Sequence, residues 1–399
     1  MTSTAEQMRA WQGPAILSFG FRPFFLGAAV WAALAMALWV LSLSGALTLP
    51  SAFDPVTWHA HEFLFGYLAA VIAGFLLTAV PNWTGRLPIL GWPLGGLFAL
   101  WVLGRIAVLV SAGLPPLLVA VADLAMPVAL AAVLGREIVA GRNWRNLIVL
   151  VMLVVFTLGN AVFHWEAARD GYAAQGFGLR IGLGATMMMI GVIGGRIIPS
   201  FTRNWLVRQG PGRLPTPPMQ RFDKLSLLAL LAALLLWVAA PGWALTAILL
   251  LAAALLHTVR LSRWAGERSL PEPLLWVLHL GYAFVPLGAL AMAAEILWPG
   301  ILGAAGGQHL WMAGAIGLMT IAVMTRATLG HTGQPLTAGK GTAAIYLALL
   351  TAVLARLAAA VWVDQAPALY TLAGIAWIGG YAGYAALYGP LLMRQRAKR

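Results

Sequence analysis

Two histidines and a glutamate stand at the mouth of an apolar run: His59, His61 and Glu62 in "TWHAHEFLFGYLAAVIAGFLLTAV", residues 57–80. Neutral imidazole suits zinc, copper and iron, and a ligating histidine needs an acceptor such as a carboxylate on its other nitrogen. Residues three apart share a helix face, so His59 and Glu62 are expected to approach one ion or each other. Residues two apart point about 200° from one another on an ideal helix, so His59 and His61 are expected to serve different partners unless the helix starts after them. The plainer alternative is that all three hydrogen-bond to headgroups and backbone at a membrane surface.

The elements that carry these residues follow from composition. Of 399 residues, 61% are hydrophobic and 9% charged, with a mean hydropathy of +0.86, too few charges to cover a soluble surface. Apolar runs of roughly 18 residues or more recur from end to end. The expected fold is an all-α polytopic membrane protein with about twelve transmembrane helices. They fall at roughly 23–44, 58–80, 89–112, 115–139, 145–168, 177–199, 223–239, 243–264, 271–297, 306–329, 338–362 and 367–393. Prolines mark the expected joints, among them Pro81, Pro115, Pro199 and Pro271. The basic connector 200–223, rich in Pro, Gly and Arg, divides one membrane domain into two six-helix halves, 1–199 and 224–399. Many transporters share that two-bundle plan.

Charge sets the expected orientation. A net charge of +13 and a pI near 11.0 would suit a nucleic-acid partner, but the basic residues are scattered over alternate loops. One set carries Arg86, then Arg136, Arg142 and Arg145, then Arg203, Arg208, Arg213, Arg221 and Lys224, then Arg260, Arg263 and Arg268, then Lys340; the tail adds Arg394, Arg396, Lys398 and Arg399, and the opposite loops carry almost none apart from Arg169 and Arg180. The positive-inside rule then makes both termini cytoplasmic, which requires an even number of spans. The N-terminal stretch lacks the pattern of a signal peptide and is expected to be retained. The chain has no cysteine, which excludes disulfides, thiolate haem ligation and cysteine-held iron–sulfur clusters. No dinucleotide fingerprint or Walker sequence is present.

With this topology, His59, His61, His164 and His309 fall toward the outer side, accompanied by Glu62, Glu166 and Glu295. His257, His279 and His331 fall toward the cytoplasmic side, where His257 is expected beside lipid phosphates. Ionisable groups within a bilayer are expensive and are usually paired, ligated or functional. Arg326 in "GAIGLMTIAVMTRATLGHTG", and Arg196 at an expected proline-broken helix end in "IGGRIIPSFTRNW", could pair with a haem propionate or lipid phosphate, or simply snorkel. The Met187–Met189 triplet is expected in core packing or facing lipid.

The stretches "FGFRPFFL", "WHAHEFLFGYLAAVIAGFLLTAVPNWTG", "GGRIIPSFTRNW", "HLGYAFVPLG" and "HLWMAGAIGLMTIAVMTRATLGHTG" closely resemble the NnrS family of bacterial membrane proteins, across almost the whole chain. The resemblance implies a multi-pass protein of the bacterial inner membrane that contains haem and copper, accompanies denitrification and contributes to resistance to nitric oxide. Carried onto this chain, it implies His59, His61, His279, His309 and His331 as ligands, with His164 next. It does not separate the iron ligands from the copper ligands.

The expected function is accordingly a haem b and copper protein that handles nitric oxide, as a reductase drawing electrons from membrane quinol or another membrane electron donor. His279 and His331 are expected at a haem, with Arg326 or Arg196 at its propionates; His59, His61, His309 and His164 are expected at the outer metal, with Glu62 and Glu166 relaying protons. Two other readings stay open: a non-catalytic haem protein that senses nitric oxide or limits iron-nitrosyl damage, and a two-bundle transporter.

Overall fold

The computed structural model describes residues 11–86, 88–169 and 171–394, with the side chain of Ala304 left aside. The tail residues Arg396, Lys398 and Arg399 and the N-terminal stretch through residue 10 lie outside them. Among the described residues the chain is helical and without strands. Its long helices are α1 Phe21–Leu43, α2 Pro55–Thr84, α3 Trp92–Leu109, α4 Pro116–Ala140, α5 Trp144–Ala167, α6 Phe177–Gln209, α7 Arg221–Ala239, α8 Ala244–Ser262, α9 Pro273–Leu297, α10 Ala305–Thr332, α11 Lys340–Val361 and α12 Ala366–Met393. The first eleven are long and apolar enough to cross a membrane; α12 is a continuous helix of 28 residues that carries Gly379, Gly380 and four tyrosines. The protein is a multi-pass membrane protein.

The chain forms two compact units. Within the described residues, one gathers 11–185, 328–334 and 381–394, the other 186–327 and 335–380. In the first unit α2 is the central helix, with 83% of its span buried against 33–44% for α1, α3, α4 and α5. Its start is fixed by Asp54, whose carboxylate accepts from the N–H groups of Val56 and Thr57 at 2.9 and 3.1 Å, with Pro55 in the first turn. Its end is a left-handed Gly85 at φ 68°, which donates to the Pro81 carbonyl. In the second unit α9 is the most enclosed helix, packed by α6, α8, α10 and α11.

Two prolines expected to end helices lie inside them. α2 runs through Pro81 to Thr84, and α6 runs through Pro199 to Gln209, so the connector shortens to residues 210–220. Proline's own φ is helical; its cost is one lost hydrogen bond and a clash with the carbonyl four residues earlier. In α6 that carbonyl belongs to Gly195, directly after a wide π turn over Ile190–Gly194 that has already opened the ladder. Similar π turns interrupt α2 over Glu62–Tyr67 and α10 over Leu310–Gly317. Such turns re-aim side chains within an otherwise straight helix and are frequent at functional sites.

Candidate metal centre

The π turn of α2 sits beside a closed polar cluster in the first unit. His61 and Glu62, at its start, are both fully buried. His61 Nδ1 lies 2.9 Å from Glu62 Oε1, and its Nε2 lies 3.0 Å from Asn160 Oδ1 and 3.2 Å from Asp123 Oδ2. His164 Nε2 approaches the same Asp123 oxygen at 3.0 Å. Asn160 and His164, one turn apart on α5, share a face, and the Asn160 amide donates to Asp123 Oδ2 at 2.7 Å.

Arg105 on α3 ties the carboxylates together. Its Nη1 donates to Glu62 Oε1 at 2.6 Å, and its Nη2 donates to Asp123 Oδ1. The Trp31 indole donates to Glu62 Oε2 at 2.7 Å. Two absent side chains make the convergence possible. A Cβ on Gly66 would meet Arg105 Nη1 and, at 2.7 Å, Glu62 Oε2; a Cβ on Gly104 would lie 3.0 Å from Asp123. Phe53, Phe65 and Phe163 close around the His61 ring, with centroids 5.3–5.6 Å away.

His61, Asp123 and His164 each offer one ligand atom, all within 4.8 Å of one another and all buried. Two imidazoles and a carboxylate are a transition-metal donor set. The contact from His61 Nδ1 to Glu62 is the carboxylate–histidine arrangement that fixes a ligand's tautomer and raises its basicity. The chemistry of the donors fits a metal ion.

Other expected site residues lie elsewhere. His59 turns away from His61 and stacks on Trp39 at 4.5 Å, with Phe63 at 4.7 Å. The expected pairing of Glu62 with His59 is replaced by pairing with His61, because the π turn underwinds the helix at Glu62 and Arg105 draws the carboxylate toward α3. Glu166 accepts from the N–H groups of Phe177 and Gly178 at 2.7 and 3.0 Å, so both its oxygens serve the start of α6. Glu295 likewise holds the turn after α9 through Gly300 and Leu302. His309 belongs to the second unit, and its Nδ1 lies 2.6 Å from the Ala305 carbonyl one turn back.

His279 and His331 belong to different units. The buried His279 ring meets Thr202 Oγ1 through Nε2 at 2.9 Å; its Nδ1 is buried without a hydrogen-bond partner, against the backbone of Gly266. A buried imidazole nitrogen with no partner fits the donor chemistry of an iron ligand. His331 lies between the rings of Phe19 and Phe21, 5.3 and 5.4 Å away. Arg326 covers the Phe201 ring at 4.2 Å, and Arg196 is half-buried in α6. Met187 and Met189 are buried in packing.

A second polar cluster overturns two expectations. His257 is not beside lipid phosphates, and Arg260 is not a loop residue: both are fully buried on α8. Arg260 Nε donates to Asp223 at 2.9 Å; its Nη1 donates to the Gly191 carbonyl at 2.9 Å and to the Tyr282 hydroxyl at 2.8 Å. His257 Nε2 faces the Ser226 carbonyl at 3.0 Å, so in the neutral ring Nε2 carries the hydrogen and Nδ1 accepts from Tyr282 at 2.8 Å. Burial of the arginine is offset by this pairing, which lipid exposure could not supply.

Sequence reasoning singled out His61, Glu62 and His164 but missed Arg105, Asp123 and Asn160. For Arg105 and Asp123 the signal was available: "LFALWVLGRIAVLV" and "LLVAVADLAMPVAL" each carry one ionisable residue inside an apolar run, which marks a functional position by default.

The helices and the cluster together define a class, a polytopic α-helical membrane protein with a buried donor set suited to a metal ion. A family model described as NnrS protein matches residues 15–396. The chain belongs to the NnrS family, and its role is related to nitric oxide. No curated protein matches it significantly.

Proposed function

We propose that the protein binds and turns over nitric oxide in the membrane, with a metal ion held by His61, Asp123 and His164 and a haem held through His279 or His331. The reaction is 2 NO + 2 e⁻ + 2 H⁺ → N₂O + H₂O, with electrons from a membrane quinol. One observation carries the reading: two imidazole nitrogens and a carboxylate oxygen lie buried within 4.8 Å of one another.

A bound haem or copper would supply the site that binds nitric oxide and exchanges electrons. The chain's own residues supply the rest. Glu62 orients His61 through Nδ1, and a proton at that 2.9 Å contact can sit on nitrogen or on oxygen. Arg105 fixes the free oxygen of Asp123, so that the other faces the imidazoles. Phe53, Phe65 and Phe163 keep water from the histidines, while an apolar gas can approach from lipid.

A second reading also has an observation in its favour. Every carboxylate oxygen of Glu62 and Asp123 already has a donor, which suits a metalloprotein that binds nitric oxide without turnover. Purified protein in detergent, given quinol and nitric oxide, separates the two. Reduction yields one N₂O for two NO consumed and a Soret band that shifts with nitric oxide. A shifted Soret band with no N₂O supports the second reading. Absence of both haem and metal defeats both.

A further inference from the structure

Three tyrosines of α12, Tyr381, Tyr384 and Tyr388, recur at intervals of three and four residues and so share one helix face. All three are at most 2% exposed, although residues between them reach the surface. The Tyr381 hydroxyl shares a hydrogen bond of 2.5 Å with that of the buried Tyr67 on α2, and the Tyr384 hydroxyl shares one of 2.9 Å with Thr328 Oγ1 on α10. Tyr388 stacks on Tyr384 at 4.9 Å. All of these residues belong to the first unit.

We infer that the hydroxyls of Thr328, Tyr384, Tyr381 and Tyr67 form a proton path from the C-terminal end of α10 to the π turn of α2 that carries Glu62. Its use in nitric oxide reduction rests on the function proposed above; the path itself does not.

The two ends of the file lie where such a path needs them. Thr328 stands one turn before the half-buried Thr332, whose Oγ1 donates to the Thr328 carbonyl at 2.7 Å, and residues 333–337 beyond it are exposed. Tyr67 closes the π turn Glu62–Tyr67. Side chains on a helix lean toward its N-terminus, the direction in which Glu62 lies from Tyr67. The intervals from Tyr384 to Tyr381 and from Tyr67 to Glu62 are each close to one helical turn, about 5–6 Å between Cβ atoms on an α-helix, a gap that one bridging water spans.

A hydroxyl both donates and accepts. Each oxygen can take a proton from one neighbour and release its own to the next, so a proton crosses with no residue left ionised. Carboxylates are the commoner relays within a membrane, but Glu166 has both oxygens committed to the N–H groups of Phe177 and Gly178. In the reaction proposed above, quinol supplies the electrons, and the two protons consumed reach the cluster along the hydroxyls.

Infrared spectra of the resting full-length protein in detergent, ring-labelled at tyrosine, test the path without turnover. Tyr67→Phe identifies the Tyr67 band among those of the eight tyrosines by its loss. After transfer to D₂O the Tyr67 hydroxyl is expected to exchange within seconds, whereas a sealed hydroxyl waits minutes to hours for local opening. Tyr381→Phe and Thr328→Val are each expected to slow that exchange about 100-fold, the scale on which a positioned proton-transfer group acts. Thr328→Ser, which keeps the hydroxyl, should restore it. Thr325→Val removes a like hydroxyl, 2.6 Å from that of Tyr346 in the second unit, and should change nothing. In single turnover with reduced protein and nitric oxide, Tyr381→Phe and Thr328→Val should slow N₂O release to a similar degree and leave the rate of the Soret shift at its wild-type value.

A wild-type Tyr67 hydroxyl that stays unexchanged for hours, or an exchange rate unmoved by Tyr381→Phe and Thr328→Val, would overturn the path. The Thr328→Val and Thr328→Ser pair decides if Tyr381→Phe does not fold. N₂O release unaffected by variants that slow the exchange would overturn the path's use in the reaction. Fast, variant-sensitive exchange in a wild type that makes no N₂O would leave the path standing and defeat the reduction proposed above.

Discussion

The side chains of His61 and Glu62, consecutive in the chain, meet each other: the imidazole Nδ1 lies 2.9 Å from the carboxylate Oε1. On a regular α-helix neighbours diverge by about 100°. The π turn that begins at Glu62 narrows that divergence, and Arg105 holds the carboxylate in place. With Nδ1 committed to Glu62, Nε2 is left facing Asp123 and Asn160. The local widening of one helix thus backs the His61 imidazole with the carboxylate of its own neighbour.

Gly66→Ala should therefore damage the cluster without touching a ligand. The new Cβ would meet Arg105 Nη1 and would stand 2.7 Å from Glu62 Oε2. Metal affinity is expected to fall by about 10–100-fold, the usual effect of disturbing the residues behind a ligand. Gly96→Ala, where a Cβ meets nothing within 4 Å, is the control. Equal metal content in the two variants would speak against the role given to the π turn.

In the second unit, removing Asp223 should leave Arg260 buried and uncompensated. Asp223→Asn is expected to cost about 3–5 kcal/mol, and Tyr282→Phe about 1–3 kcal/mol for the unsatisfied partners it leaves. Gly195→Ala should also destabilise, since its Cβ would fall on Arg260 Nη2. Unfolding in detergent followed by tryptophan fluorescence measures all three. A Tyr282 variant less stable than the Asp223 variant would place the weight of the cluster on the hydroxyl instead of the ion pair.

Haem content tests the two remaining histidines. His279→Ala and His331→Ala, each purified as folded protein, are expected to differ from wild type in Soret intensity or position, through loss of an axial imidazole in at least one. Gly266→Ala, with His279 retained, should perturb that imidazole directly, because its Cβ would lie 2.7 Å from Nδ1. Full haem occupancy with an unchanged Soret band in both histidine variants would remove them from the haem site.

Topology gives a prediction independent of any metal. From the loop bias in arginine and lysine, both termini are predicted to be cytoplasmic. A reporter active only outside the cytoplasm, fused after Arg399, should be silent. Strong activity there would reverse the orientation or change the parity of the spans.

Helix positions were legible in the sequence because apolar length is a direct reading of membrane thickness; the span expected at 271–297 is observed as Pro273–Leu297. The passage of α6 through Pro199 was not legible, since proline's penalty depends on whether the preceding turn has already opened, as it has over Ile190–Gly194. His61 and His164 could be picked out singly, but their meeting at Asp123 is a long-range contact that no spacing encodes. The same holds for Arg260, whose place at a helix end read as a loop until its pairing with Asp223 was seen. Arg105 and Asp123 were within reach, as lone charges in apolar runs.

The central claim is that His61 and His164, and not His59, hold an ion. Metal bound per molecule of purified wild type, His59→Ala, His61→Ala and His164→Ala tests it most directly. His61→Ala and His164→Ala should empty the site, while His59→Ala, which removes a ring packed on Trp39 and beside Phe63, should keep near-wild-type metal. Loss of the metal from His59→Ala alone, with His61→Ala and His164→Ala fully loaded, would contradict it.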